Sequence, residues 1–373
     1  MPGSFRYCLI TFVLLISVSF LKAQQTLSPK PIAYPEFRFA YGFVIRHHID
    51  MGPYTQTHFP AFEISSVFPL LGAKRWHQEF HYPEAGISYW YSNLGNSPVL
   101  GDVHSLFTWL RLPFIEKQKL QWNYRIGVGL GYFREKFDIQ TNYKNLAIGS
   151  NVNAAIQLLT ELRWQFCSQF TLSGGLGWAH FSNGTMISPN YGINMPNINT
   201  ALSFHPKGLK EKRIITKYQE SAPYNFIELN ISHGLKEIRP LLGPQYNVFS
   251  GSVIYFHRLN IRKSIGGAFD LYYDESEKPL LERTGTPVKQ NIELLKPGIS
   301  GNFQADFGNL SVLLSLGTYL YQKEKSDGVL YDKLGLRYSF IDKYFLQLYL
   351  KTHYARADYI GWGIGMKINT TKN

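Results

Sequence analysis

A histidine and a serine separated by one residue are the strongest chemical signal in this sequence. His180 and Ser182 lie in the segment Gly177–Gly184 (GWAHFSNG), and the segment Pro189–Asn194 (PNYGIN) follows shortly after it. An imidazole beside a hydroxyl can act as general base for a serine nucleophile, which is the chemistry of acyl transfer from an ester. A His-x-Ser pair by itself is more often an interfacial polar pair, so the interpretation depends on its surroundings.

The pair ends a segment in which large apolar residues alternate with small ones. Leu172, Leu176 and Trp178 share one face of this predicted strand, and the small residues between them share the other. A period of two places His180 and Ser182 side by side on the Leu/Trp face. In a membrane barrel that face contacts lipid, where polar groups are unfavourable and therefore indicate function. The expected substrate is an acyl ester presented by the membrane.

Similar strand signals recur from one end of the chain to the other. The clearest are Trp122–Tyr132 and the C-terminal segment Tyr359–Ile368, both with strict alternation of large and small residues. About sixteen such segments of roughly ten residues are present, and this is the length of a tilted membrane strand. We therefore predict an all-β fold, an antiparallel transmembrane β-barrel of about 16 strands (range about 12–16).

The predicted connections alternate in length. Turns such as Leu259–Lys263 and Gly308–Asn309 are tight, whereas the alternate connections, such as Arg134–Ser150 and Asp274–Pro297, are long and polar. Short periplasmic turns opposite long outer loops are typical of bacterial outer-membrane barrels. Two connections that should be short are long instead: Leu70–Tyr82 and Pro206–Tyr224.

Composition and the N-terminus indicate the same class of protein. The 373 residues are 45% hydrophobic and only 17% charged, with a formal net charge of +12, so a disordered chain is excluded. Residues 1–23 have the layout of a secretory signal peptide, with Arg6 before an apolar run and Ala23 at the cleavage point. We expect residues 24–373 to form a single outer-membrane β-barrel domain. Cys167 is then the only remaining cysteine, which excludes an internal disulfide.

Other polar groups give weaker signals. His233 alternates with apolar residues and is interpreted as interfacial, and the basic run Lys207–Arg213 is interpreted as a solvated loop. The pair His47-His48 could bind a metal adventitiously, but no carboxylate at ligand spacing supports a site. No nucleotide-binding glycine motif or zinc pattern is recognised. We therefore predict no cofactor, no metal and no nucleic-acid partner.

The residues around the His-x-Ser pair resemble those of a known family. His180–Gly184 with Pro189–Asn194 is similar to the active-site region of the lipid A 3-O-deacylases, also called acyloxyacyl hydrolases. Asn142–Ser150 and the terminal segment Ala357–Gly365 resemble longer members of that family, so the resemblance covers most of the mature chain.

The resemblance implies a role for each residue of the site. It makes His180 the general base and Ser182 the nucleophile, and it gives the oxyanion-hole role to Asn190 with help from Asn183. Simpler family members have a Glu as the third triad residue, where this chain has Asn194, and no acidic residue occurs between Glu161 and Glu211. An Asn carbonyl can still orient an imidazole by accepting its N–H. The expected catalytic set is therefore Ser182, His180 and Asn194.

Two functions remain open at this point. The first is an outer-membrane serine esterase that removes an ester-linked acyl chain from lipid A, with lipopolysaccharide in the outer leaflet as its partner. The alternative is a noncatalytic outer-membrane barrel, either a channel or an envelope-structural protein. Inward-facing Arg125, Gln347 and Lys351 could form a plug or a polar lining. The acyl position that is cleaved and the oligomeric state are not predicted.

Overall fold

The described part of the chain folds almost entirely into β-strands. The computed structural model describes residues 32–55, 57–208, 213–219, 222–238, 241, 243–341, 343–354 and 356–370. The predicted signal peptide, residues 1–23, lies outside these residues. Among them, no helix is long and apolar enough to cross a membrane.

The first eight strands form a closed antiparallel barrel. Their bounds are β1 (Tyr34–Phe43), β2 (His58–Pro69), β3 (Glu84–Ser92), β4 (Val103–Lys117), β5 (Leu120–Phe133), β6 (Val152–Gln165), β7 (Phe170–Ser182) and β8 (Ile193–Phe204). Strands adjacent in sequence pair with each other, and β1 pairs with β8 to close the sheet, with Ala40 opposite Asn199. The strand that carries His180 and Ser182 therefore lies between β6 and β8.

The last eight strands form a second closed antiparallel barrel. Their bounds are β9 (Tyr224–Glu237), β10 (Gln245–Asn260), β11 (Lys263–Asp274), β12 (Leu295–Phe307), β13 (Leu310–Tyr319), β14 (Leu330–Ile341), β15 (Tyr344–His353) and β16 (Arg356–Asn369). Pairing of β16 with β9 closes it, with Gly361 opposite Gly234. The chain thus forms two compact units, one around each barrel.

Short helical segments occur only in connections within the described chain. Helix α1 (Arg75–Glu79) lies between β2 and β3, and helix α2 (Glu277–Arg283) lies between β11 and β12. Two 3₁₀ turns follow β1 and precede β12, at Ile49–Tyr54 and Asn291–Leu294.

The structure corrects the predicted number of barrels. Sixteen strands are present, as expected, and the fold is all-β, but the strands close into two barrels. The prediction of one barrel of about 16 strands is therefore wrong. Alternation identifies a strand and its two faces, but it is the same whether β8 pairs with β9 or returns to β1. The long connection Pro206–Tyr224 contains the link between the barrels, and the long connection Leu70–Tyr82 contains α1.

Charged side chains and an apolar cluster share the interior of the first barrel. Arg111 lies 2.7 Å from Glu36 and 2.6 Å from Glu161, and Arg38 lies 2.6 Å from Glu161. Arg125 is fully buried and forms an ion pair with Glu63. Buried charges are tolerated when each is paired, and each of these carboxylates has a guanidinium partner.

The interior of the second barrel is also filled. Asp358 lies between two ammonium groups, 2.7 Å from Lys236 Nζ and 2.6 Å from Lys351 Nζ. Lys351 is 1% exposed and lies 4.9 Å from the centroid of the Tyr272 ring, a distance typical of a cation–π contact. Gln347 is buried and donates to Ser232 at 2.6 Å. Arg125, Gln347 and Lys351 therefore act as plug residues and not as the lining of an open channel.

The outer faces of both barrels are apolar. On β1 the outward side chains are aromatic and 36–49% exposed, and the inward neighbours are buried; the outward residues are Phe37, Phe39, Tyr41 and Phe43. Ile231 on β9 is 68% exposed on the corresponding face of the second barrel. Such continuous apolar exposure on a closed sheet is the pattern of a lipid-facing wall.

Candidate active site

His180 and Ser182 lie on the outer face of β7 at its C-terminal end. The residue between them, Phe181, points inward and is fully buried, with its ring 5.3 Å from that of Phe133. This inward anchor fixes the alternation, so that the two polar side chains lie together on the opposite face, where His180 is half-buried and Ser182 is 7% exposed. Trp178, two residues before His180, stacks on the imidazole with ring centroids 5.5 Å apart.

Asn194 orients the imidazole of His180. The two residues are opposite each other in the β7–β8 register, and His180 Nδ1 lies 2.8 Å from Asn194 Oδ1. Because a carbonyl oxygen can only accept, Nδ1 carries the proton and donates it to this bond. The other nitrogen, Nε2, is then the one that can accept a proton from a hydroxyl.

Gly192 is required where the chain passes the imidazole. Its φ is +77°, and a Cβ at this position would lie 3.1 Å from His180 Cε1 and 3.1 Å from Phe181 O. An L-residue would therefore combine backbone strain with a close contact to the ring. A glycine allows the loop after Asn190 to approach the histidine closely.

The side-chain amide of Asn190 bridges Ser182 and Asn183. Asn190 Nδ2 donates to Ser182 Oγ at 2.8 Å, and Asn190 Oδ1 accepts from the backbone N–H of Asn183 at 3.1 Å. Asn183 is 5% exposed, and its side-chain amide donates to Ser150 Oγ at 3.1 Å. An amide donor thus lies next to the hydroxyl, where negative charge would develop on an attacked carbonyl.

Sequence reasoning missed Ser150 as a neighbour of the site. Ser150 ends the long loop before β6, and its hydroxyl donates to Asn153 Oδ1 at 3.0 Å while it accepts from Asn183. The sequence signal was indirect, since β6 is the strand next to β7. Only the register, with Ala154 opposite Ser182, brings this loop to the serine.

The other sequence candidates lie elsewhere. His233 is half-buried on the outer face of β9, and its Nε2 lies 3.0 Å from Asn247 Oδ1. Within the run at 207–213, Arg213 pairs with Glu116 at 2.7 Å, and residues 209–212 lie outside the described chain. Cys167 is a free, exposed thiol.

One group of possible metal ligands occurs among the described residues. Asp327, His353 and Asp358 place one ligand atom each within 4.8 Å of one another. Lys351 Nζ lies 2.6 Å from Asp358 Oδ2 and 3.2 Å from His353 Nε2, and Arg356 pairs with Asp327. Because cationic side chains already neutralise the carboxylates, this group is an ion-pair cluster of the second barrel. His47 and His48 are not part of it.

Two protein families match the chain, one for each barrel. Residues 61–203 match the family described as lipid A 3-O-deacylase (PagL), and this range contains His180, Ser182 and Asn194. Residues 225–370 match the family described as acyloxyacyl hydrolase, C-terminal domain. A search of curated proteins finds no match.

Solved structures resemble the chain only distantly. The outer-membrane enzyme PagL is 15% identical, with 44% of this chain and 97% of that chain covered and a TM-score of 0.32. A triple mutant of the Rhodopseudomonas blastica porin is 7% identical, with 91% and 99% covered and a TM-score of 0.19. A TodX monoaromatic hydrocarbon channel variant is 10% identical, with 92% and 91% covered and a TM-score of 0.19.

Proposed function

We propose that the chain is an outer-membrane serine esterase that removes an ester-linked acyl chain from lipid A. The premise is its family: residues 61–203 belong to the lipid A 3-O-deacylase family, and residues 225–370 belong to the acyloxyacyl hydrolase C-terminal domain family. Two contacts on the apolar outer wall support the proposal. His180 Nδ1 lies 2.8 Å from Asn194 Oδ1, and Asn190 Nδ2 lies 2.8 Å from Ser182 Oγ. Ser182, His180 and Asn194 are the proposed catalytic residues.

The first half of the reaction forms an acyl-enzyme. His180 Nε2 takes the proton of Ser182 Oγ, and the oxygen attacks the carbonyl carbon of the acyl ester. Asn190 Nδ2, already directed at the serine, stabilises the resulting oxyanion, and the backbone N–H of Asn183 contributes by holding the oxygen end of the same amide. The tetrahedral intermediate then breaks its bond to the sugar oxygen, which leaves with the proton held by His180.

The second half releases the fatty acid. A water molecule gives a proton to His180 Nε2 and attacks the acyl carbon, and Ser182 Oγ leaves with that proton. Asn194 keeps the ring in one tautomer throughout, because its amide oxygen accepts from Nδ1 in both the neutral and the protonated imidazole. No cofactor takes part in this sequence of steps.

The position of the site favours a membrane lipid as substrate. The two side chains lie on the same face as Trp178, and the apolar residues of that face are exposed, such as Leu176 at 61%. An acyl chain lying along such a wall brings its ester to the serine without leaving the bilayer. The buried ion pairs inside both barrels argue against the alternative of a channel.

Mass spectrometry of lipid A tests the proposal. Lipid A from cells that produce the wild-type chain should lose the mass of one acyl chain, and cells producing Ser182→Ala or His180→Ala should keep it. Residues that act as one catalytic unit are not additive, so the double variant should be no worse than either single variant.

A matched control separates catalysis from folding. Ser66 is an exposed serine on the outer face of β2 in the same barrel, and Ser66→Ala should retain full deacylation. Each variant should still migrate as a heat-resistant folded barrel. Retained activity in Ser182→Ala would overturn the serine-esterase proposal.

A further inference from the structure

The paired histidines of the β1–β2 loop contact the segment that carries two proposed site residues. His47 Nε2 lies 2.8 Å from the carbonyl oxygen of Tyr191, which follows Asn190 directly. Because that oxygen can only accept, Nε2 carries a proton and donates it. His47 Nδ1 lies 3.1 Å from Ile45 O, so both ring nitrogens face groups of the protein itself.

Further contacts fasten the same two loops together. The ring of His48 stacks on that of Tyr191, with centroids 3.9 Å apart and planes 7° from parallel. Tyr191 donates its hydroxyl to Asp50 Oδ2 at 3.2 Å. The backbone N–H of Ile45 donates to Asn194 O at 2.9 Å. The segment between Tyr191 and Asn194 is thus attached to the β1–β2 loop at both of its ends.

This segment must hold two side chains in defined orientations. Asn190 donates to Ser182, and Asn194 must present its oxygen, not its nitrogen, to His180. A carboxylate at position 194 could accept with either oxygen, but an amide has only one accepting end. The nitrogen end of Asn194 lies 3.5 Å from His47 Nδ1, so His47 is next to the group whose orientation matters.

We propose that His47 is a positioning residue for ester hydrolysis at Ser182. Its Nε2–H holds the Tyr191 carbonyl, and its ring lies against the amide of Asn194, so that Asn190 and Asn194 stay aligned with Ser182 and His180. This inference rests on the proposed function. It also assigns the His47-His48 pair a role that does not involve a metal.

Substitution of His47 by two amides tests the donor atom. A glutamine reaches roughly as far as the imidazole Nε2, whereas an asparagine reaches only as far as Nδ1. We expect His47→Asn and His47→Ala to lower kcat about 10-fold, as for loss of one hydrogen bond, with KM nearly unchanged. His47→Gln should restore kcat to within about twofold of wild type. Equal rates for the Gln and Asn variants would overturn the proposal.

His104 provides a matched control. It is also exposed on the outer side of the first barrel, where its Nδ1 lies 2.6 Å from the hydroxyl of Tyr89. His104→Gln should therefore leave kcat and KM unchanged. A loss in this variant equal to that in His47→Ala would show a general effect of removing surface histidines and would also overturn the proposal.

A double-mutant cycle separates positioning from a merely structural contribution. If His47 acts through Asn194, His47→Ala should reduce kcat only slightly further in an Asn194→Leu background. Additive losses would contradict action through Asn194. If the wild-type chain does not deacylate lipid A, the proposed function fails; if it does and the His47 variants match it, only the positioning role fails.

Discussion

Asn194 accepts the Nδ1 proton of His180 at 2.8 Å, and this contact leaves Nε2 as the ring nitrogen that can accept a proton. A carboxylate at the same position would also stabilise the imidazolium by its charge, which an amide dipole does more weakly. The proposed site would therefore keep the orienting part of a catalytic triad and reduce the electrostatic part. The consequence should be visible in the kinetics.

We expect Asn194→Leu to lower kcat by about 10²-fold, because the imidazole loses its orienting acceptor. Loss of the acid in one serine protease costs about 3 × 10⁴-fold, and an amide starts from a weaker position. Asn194→Glu should be tolerated or faster, since a carboxylate stabilises the imidazolium of the transition state better. Rates on a short-chain ester, with pH profiles of kcat/KM, measure both effects.

The two variants also distinguish a structural role for Asn194. If the residue only closes the loop, Asn194→Leu would lower the thermal stability of the barrel and Asn194→Glu would not increase the rate. An Asn194→Leu enzyme with wild-type kcat and an unchanged pH profile would contradict the prediction and indicate a Ser-His dyad.

Among the connecting elements, helix α1 carries a buried histidine. His77 is 3% exposed, its ring lies 4.4 Å from that of Trp76, and neither ring nitrogen has a hydrogen-bond partner among the described residues. Burial, and secondarily the charge of Lys74, lowers the pKa of His77 from 6.5 to about 4. In the folded connection the His77 imidazole is therefore in its neutral form.

Acidification should open this connection. Between pH 6.5 and about 4, His77 is protonated when this connection is locally unfolded but neutral when it is folded. The folded connection is therefore destabilised as the pH falls. We expect the hydrogen-exchange protection factors of the Phe80 and Tyr82 amides, which bond to Trp76 O and His77 O, to fall roughly tenfold from pH 7 to pH 5.

A neutral replacement supplies the control for this pH effect. In His77→Phe the protection factors, corrected for intrinsic exchange, should be nearly the same at both pH values. Equal protection of the wild-type amides at pH 7 and pH 5 would contradict the titration of His77.

The strands and the site differ in how far sequence predicts them. Alternation predicted the strands, and it predicted that His180 and Ser182 share a face, because both depend only on neighbours along one strand. The positions of His47 and Ser150 depend on closure of β8 onto β1 and on the β6–β7 register. Alternation contains no information about either, so the number of barrels and the neighbours of the site were missed for the same reason.

At the scale of the whole molecule, buried ion pairs accompany the apolar core. In the first barrel Arg111 is 1% exposed and contacts three carboxylates, those of Glu36, Glu84 and Glu161, at 2.6–2.7 Å. Arg38 and Arg125 also each pair with two acids, so removal of one cation affects several carboxylates.

Arg111→Met should destabilise the folded chain by about 3–5 kcal/mol, because it leaves buried carboxylates without their partner. Arg134→Met is the matched control: Arg134 pairs with Asp102 at 3.0 Å, but its side chain is 65% exposed, so this variant should shift the unfolding midpoint far less. Urea midpoints in detergent measure both. Equal shifts in the two variants would contradict the assigned role of the interior charges.

Closure of β1 on β8 and of β9 on β16 also bears on how the chain assembles. A single sheet of sixteen strands would close only when its first and last strands met across nearly the whole polypeptide. Here the two strands that close each barrel are separated by less than half of the chain. This shorter separation lowers the contact order of the closing step. Because the entropy of loop closure grows only slowly with loop length, two small barrels should differ from one large barrel more in folding rate than in folding free energy. Each barrel can therefore close independently of the other. A barrel that has closed exposes no strand edge, even while the other is still incomplete.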